Sequence, residues 1–380
     1  MRSMRVPLPR PAADGTPGTP RRRHAHLTTL PRARGPVSGA LFTLLTGPPI
    51  QDPGILMSND LTDLWWTPEA PWWEADDDVA LALVCLDELD RRGLAGVSAG
   101  WESHPLLATV RWRLSSPIER GLERLRQDST IPTSSSGCIT VRHVLAMIAT
   151  APEPVPAGSG SGREEPMEEA AVLTAVQRLR ERDAHLSILP MLAGTSRQLL
   201  QRAALTVEPP GMDDATREVI GRVLRAFGVP DRTGAHLSAM SGAALWRLAA
   251  MQYLATRRSL RAATLGWLVA ADALAASGRV VSGSTLRAHG LDDGTAKQWD
   301  RCVIGDLAVL EAAEHVIDCE PRLADDLILG ARACLTSATA VEDSLADRAG
   351  RRDELQDQQP ATEPQSASTP TDLTPTEGLI

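Results

Sequence analysis

The chain has 380 residues, of which 43% are apolar, and carries a net charge of −9. That length accommodates one large domain or two ordinary ones, and the apolar share is enough for a sizeable core. The acidic balance excludes general nucleic-acid binding, which needs a basic surface against phosphate, and no run reaches the eighteen or so apolar residues of a membrane span.

Residues 1–34 are rich in Arg, Pro, Gly and Thr with little to bury, and are expected to form a disordered basic tail. No apolar stretch follows the basic run closely, so no signal peptide is expected. The segment "LWWTPEAPWWEADDD" holds two tryptophan pairs, 65–66 and 72–73, among prolines. They suit either a partner surface or an aromatic plug at the open end of a helical bundle, and the plug is the plainer reading. The run "DDDVALALVCLDELDRRG" (76–93) places Val79, Ala82, Leu83 and Leu86 on one stripe behind an acidic start, which predicts a helix. "PLLATVRWRLSSPIERGLERLRQ" continues the helical period.

"TAPEPVPAGSGSGREEP" (150–166) then reads as a flexible insertion, centred on 152–165, between two helical halves. Its "GSGSG" lacks the strand and helix flanks that cradle a phosphate. Helical runs resume with "MEEAAVLTAVQRLRERDAH", "TSRQLLQRAALTV", "DDATREVIGRVLRAFG", the long "GAALWRLAAMQYLATRRSLRAATLGWLVAADALAA", "DGTAKQWDRCVIGDLAVLEAAEHVI" and "PRLADDLILGARACLTSATAVEDSLADR". No segment alternates with period two over a useful length. The expectation is an all-α fold, a single helical domain over 35–349 with about seven core helices, closed by an acidic, Pro/Thr/Ser-rich disordered tail at 350–380.

Five cysteines (Cys85, Cys138, Cys302, Cys319, Cys334) are scattered without a CxxC pair, which fits reduced thiols in a cytoplasm. His104, His143, His236 and His315 stand singly. There is no HExxH pair, nucleophile elbow or credible phosphate loop. The chemistry-bearing stretch is "RLRERDAHLSILPMLAG" (178–194), where Glu181 and His185 share one helix face at i and i+4, a spacing by which helical bundles present metal ligands.

Several segments, in order over roughly residues 30–345, resemble the actinobacterial iron-containing redox enzyme family of the heme-oxygenase-like diiron oxidase superfamily. "LPRARGPVSGAL" looks like that family's opening segment. "DDDVALALVCLDELDRRGLAGVSAGWESHPLLATVRWRL" is similar to its acidic Leu-rich helix, R-G-F-x-G-V turn and E-W-x-P-x-L-L. "RLRERDAHLSILPMLAG" is similar to L-K-E-A-D-P-H-x-W-A-I-P-x-L-x-G, "LWRLAAMQYLAT" to L-x-G-H-L-A-A-F-E-M-T, and "EPRLADDLILGARACL" to E-P-x-L-x-x-D-V-L-F-G-A.

The resemblance implies a heme-oxygenase-like helical bundle whose core holds two irons for dioxygen activation, with about six carboxylate and imidazole ligands. Residue by residue, it implies Glu181 as a ligand, with Asp183 and His185 retained beside it. At the second ligand motif this chain offers Thr206 and Thr216; a two-residue slip brings in Glu208, beside the helix-breaking Pro209 and Pro210. The third motif matches "CVIGDLAVLE" (302–311), keeping Asp306 and Glu311 but placing Cys302, Ile304 and Leu310 at other ligand positions. An alternative register from His289 keeps Asp293 and puts Ala296 at the second His.

Two functions follow. One is a family-level oxidoreductase using iron on a reduced set: Glu181, His185 and Asp306. The other is a non-catalytic member of the fold, without cofactor, that binds a small molecule or a protein partner. Loss of a metal permits the trade of ligands for Thr, Ile, Leu and Ala, since an empty cluster of buried acids is costly to fold. Neither function involves nucleic acid or a membrane.

Overall fold

The computed structural model describes residues 27–49, 70–128, 136–151, 171–181, 210–231, 236–276, 281–301 and 307–357. Among these residues the fold is all-α: no strand forms, and one isolated parallel bridge joins Thr28 to Leu94. The first helices are α1 (Pro36–Thr46), α2 (Asp77–Arg92), α3 (Pro105–Leu114), α4 (Ser116–Gln127) and α5 (Gly137–Ala149). They are followed by α6 (171–181), α7 (Pro210–Ala226), α8 (Gly242–Thr256) and α9 (Arg261–Ala276). The last are α10 (Gly283–Ala288), α11 (Asp293–Arg301), α12 (Leu307–Cys319) and α13 (Ala324–Asp357). No helix among the described residues is long and apolar enough to cross a membrane.

Helix α2 shows how local sequence sets the ends. Asp76 accepts the Asp78 amide at 2.8 Å, Asp77 and Asp78 lie in the first turn, and Arg91 and Arg92 lie in the last. Charges of both signs therefore complement the helix dipole. Gly93 follows at φ +81°, a conformation that a side chain disfavours, and stops the helix. The long run at 242–276 is two helices rather than one. Arg257 is extended (φ −94°, ψ 112°), and a short 3-10 turn at Arg258–Leu260 leads into α9. The Thr256 hydroxyl donates to the Tyr253 carbonyl at 3.1 Å, and residues 256–259 are exposed. A polar surface turn thus interrupts an otherwise apolar sequence. In the run at 293–319 the described residues form α11 and α12, and 302–306 lie outside the described residues. Helix α13 continues to Asp357, into the stretch that composition assigns to the acidic tail. The 152–165 insertion, the 195–207 run and nearly all of the N-terminal tail lie outside the described residues.

The centre of the bundle is the pair α9 and α13, which meet backbone to backbone. A methyl group on Gly330 would lie 1.7 Å from the Ala263 carbonyl oxygen, and one on Gly266 would lie 1.8 Å from the Leu327 carbonyl oxygen. Ala262, Ala263, Ala270, Ala331 and Ala333, all buried, extend this small-residue seam. Around it, α8 packs on α9 and α13, α2 packs on α8, and α1 and α3 pack on α2. Helices α4 and α5 cover α13, and α12 lies against α5 and α9.

Long-range polar contacts close the ends. The buried Asp78 of α2 accepts the Val37 and Ser38 amides at 2.7 and 3.0 Å, and the Ser38 hydroxyl too, capping α1 from a neighbouring helix. Arg34 pairs with Asp77 at 2.8 Å and donates to the carbonyls of Leu237, Ser238 and Met240, tying the start of α1 to the approach to α8. Buried indoles do the same. Trp72 donates to Ser337 Oγ at 3.2 Å, Trp246 to the Ala75 carbonyl at 3.2 Å, Trp101 to Gly47 at 3.1 Å and Trp299 to Val281 at 2.7 Å. Each ring fills apolar space while its N–H finds a distant acceptor. Trp72, edge-on to Trp73 at 4.6 Å between centroids, also rests on Gly121; Trp72 is buried in the core and Trp73 half-buried beside it. The 65–66 pair lies outside the described residues.

Two glycines in helices should respond oppositely to alanine. Gly330→Ala should destabilise by about 3 kcal/mol, because the added methyl meets rigid backbone. Gly39→Ala, whose methyl would have only the Ala33 Cβ at 4.0 Å, should be neutral or stabilising by ~0.5–1 kcal/mol. Denaturant unfolding midpoints of the two variants check both signs.

Candidate functional site

The described core holds two buried ion pairs supplied by adjacent residues of α6. Arg180 turns toward α2, where its Nη1 is 3.7 Å from Glu88 Oε2. Glu181 turns toward α8, where its Oε1 is 2.5 Å from Arg247 Nε. Consecutive helical positions point about 100° apart, so adjacent residues of α6 reach two different helices.

Each pair is embedded in further contacts. Glu88 accepts the Thr28 hydroxyl at 2.8 Å and pairs with Arg91 one turn along α2. Glu181 also accepts Gln177 Nε2 at 2.8 Å. Arg247 donates through Nη1 to the Cys334 carbonyl on α13 at 2.9 Å, and its guanidinium lies 5.4 Å from the centroid of Trp267 on α9. Glu88, Arg180 and Arg247 are 3, 3 and 6% exposed, while the Glu181 side chain retains 18%. One face of this network therefore opens toward solvent, at Glu181.

Burial works to lower the Arg247 pKa, but Glu181, followed by the Cys334 side chain, more than offsets it and holds the group above the ordinary arginine value. Arg247 is a permanent cation at this position. The neighbouring thiols are inert: burial drives Cys85 far above the usual thiol range and Cys334 up to about 11. Cys138 is half-buried and Cys319 exposed, with Cys319 Sγ 3.6 Å from His315 Nε2; all four are free.

Of the reduced ligand set read from sequence, Glu181, His185 and Asp306, Glu181 alone is described, and it belongs to this network. His185, Asp306, Asp183, Thr206, Glu208, Cys302 and Ile304 lie outside the described residues. Thr216 falls on α7. On α12, Leu310 packs partly against the core, whereas Glu311 is exposed. In the alternative register, His289 ends α10 and Asp293 starts α11 at the surface, paired with Arg287 at 2.7 Å and Lys297 at 2.5 Å. Among the described residues no group of three or more His, Cys, Asp or Glu side chains could hold a metal ion.

Among the described residues, the groups that meet Glu181 Oε1 do not fit iron. They are a guanidinium and an amide N–H2, both hydrogen-bond donors. A dication on that oxygen would sit against a fixed positive charge. The residues that sequence reasoning passed over are Arg247, Arg180 and Glu88. A signal for two of them existed. Arg247 is the one charge in the apolar "ALWRLAAM", and Glu88 continues the stripe of Leu81, Val84 and Cys85. A charge on a buried stripe implies a buried partner. Compared with known proteins, the chain matches no family model, no curated protein and no solved structure.

The neighbouring acids Asp87 and Glu88 should give opposed pH limbs. Burial pushes Asp87 up to about 6, against the pull of Arg111 and Arg91. Its folded pKa thus exceeds the unfolded one of 3.8, and stability should rise as pH falls through 6 toward 4, by on the order of 2 kcal/mol. For Glu88, burial acts upward, but Arg91, Arg180, Arg92 and the Thr28 hydroxyl outweigh it and lower the pKa. Its contribution is present above about pH 4.5 and lost as pH falls through the folded value. Urea unfolding across pH 3–8 should show Asp87→Asn without the first limb. Glu88→Gln should be about 3 kcal/mol less stable at neutral pH, with a weaker acid limb.

Proposed function

We propose that this chain is a divergent, non-catalytic relative of the iron-containing redox enzymes that it resembles, a helical-bundle protein that binds a small molecule or protein partner without iron. The single observation that supports this reading is the ion pair between Glu181 and Arg247. Glu181 stands where the resemblance places a metal ligand, and its charge is neutralised by a side chain of the same protein. The substitution pattern agrees with it, since Thr216 and Leu310 take positions where an iron centre needs carboxylate or imidazole. A bundle that satisfies its buried carboxylate internally keeps its fold in the absence of metal.

Metal content tests this reading. Protein expressed in iron-supplemented medium and purified without chelator should hold well under one iron per chain. Added ferrous iron under anaerobic conditions should leave the melting temperature unchanged. A ligand that binds only the folded state at a hundredfold excess over Kd adds about 2.7 kcal/mol, so an intact centre would announce itself as a shift of several degrees. Two tightly held irons per chain, lost in Glu181→Ala, would establish the enzyme instead.

A further inference from the structure

We propose that Arg247 is the resident cation of this centre, and that the space it fills is a binding site for a planar guanidinium-type cation in preference to a divalent metal. The inference rests on the metal-free reading of Glu181 and adds to it the chemical class that the site selects.

Three features of the site match a flat, forked cation. One edge of the guanidinium meets Glu181 Oε1 through Nε at 2.5 Å. Another meets the Cys334 carbonyl through Nη1 at 2.9 Å. Its Cζ lies over the Trp267 ring, 5.4 Å from the centroid. A carboxylate and a carbonyl set for two N–H groups, with an aromatic wall, is the pattern that distinguishes guanidinium from a point charge. A divalent metal needs several lone pairs converging at about 2.0–2.6 Å. Here one carboxylate oxygen is already shared with the Gln177 amide donor, and an indole face supplies no lone pair. The acceptors come from α6 and α13 and the wall from α9, so truncating Arg247 on α8 leaves all three in place. Residual exposure of Glu181 at 18% provides the route by which a small cation enters.

The test is chemical rescue of Arg247→Ala in the full-length protein, read by thermal unfolding at neutral pH and constant ionic strength. Methylguanidinium at low millimolar concentration should raise the melting temperature of the variant saturably by several degrees, and leave wild type unmoved. Methylammonium should do less, and manganous or ferrous ion nothing. Greater stabilisation by either metal than by methylguanidinium, or equal shifts of wild type and variant by methylguanidinium, would overturn the proposal. Should Arg247→Ala not fold, Arg247→Met is compared with Arg247→Met/Glu181→Gln. The double variant should melt higher, because neutralising Glu181 removes the uncompensated charge. A double variant no more stable than the single would show that Arg247 does not serve as the counter-cation. Iron bound to wild type would refute the metal-free reading itself, whereas failed rescue in an iron-free protein refutes only the selectivity assigned here.

Discussion

The contact on which the rest of the bundle depends is the seam between α9 and α13, where Gly330 lies against the Ala263 carbonyl and Gly266 against that of Leu327. At such a distance the helices are spaced by backbone atoms and not by side chains, and the neighbouring alanines keep that spacing along the seam. Helices α4, α5, α8 and α12 pack directly on members of this pair. Helix α8 packs on both members, which brings Arg247 within reach of the Cys334 carbonyl and of Trp267 together. A wider seam would separate those two partners, so glycine packing and the polar centre are one construction.

Within that frame, α6 carries a problem and its solution in adjacent residues. Burying Arg180 and Glu181 separately would cost several kcal/mol each for lost hydration. Each is offset by a charge from a different helix, Glu88 and Arg247, so the two pairs also fix α6 in rotation and depth between α2 and α8. Replacing such pairs by apolar residues is often neutral or stabilising. What they contribute is therefore specificity of docking, since any other register of α6 would take Arg180, Glu181 and Arg247 away from these counter-charges and leave Glu88 to Arg91 and Thr28.

How much of this was legible in the sequence depended on what each residue answers to. The α2 helix was readable to within a residue because its stripe, its acidic start and its glycine stop all act locally. The break at Arg257 was missed because the residues around it are individually compatible with helix, and the turn follows from α9 folding onto α8. Glu181 was singled out for its spacing with His185, a local pattern. Its partner Arg247 lies 66 residues away in sequence, and nothing in either segment names the other. Buried pairs of this kind become legible only once helices are placed. The heme-oxygenase-like bundle, by contrast, was an implication of ordered resemblance and remains part of the functional proposal.

A metal site and an ion pair solve one problem, a carboxylate in a protein interior, by supplying positive charge. They differ in what surrounds the charge. A metal recruits lone pairs from several directions, so each ligand lost weakens it and leaves another unpaired acid. A guanidinium recruits two acceptors in one plane and an aromatic face, and asks nothing of the remaining helices. Once Arg247 neutralises Glu181, no acid or imidazole is required on α7 or α12. There Thr216 and Leu310 stand, and Leu310 packs against the apolar core. A carboxylate or imidazole placed at Leu310 would put a polar group in apolar packing without a cation to meet it, while Arg247 still held the charge beside Glu181.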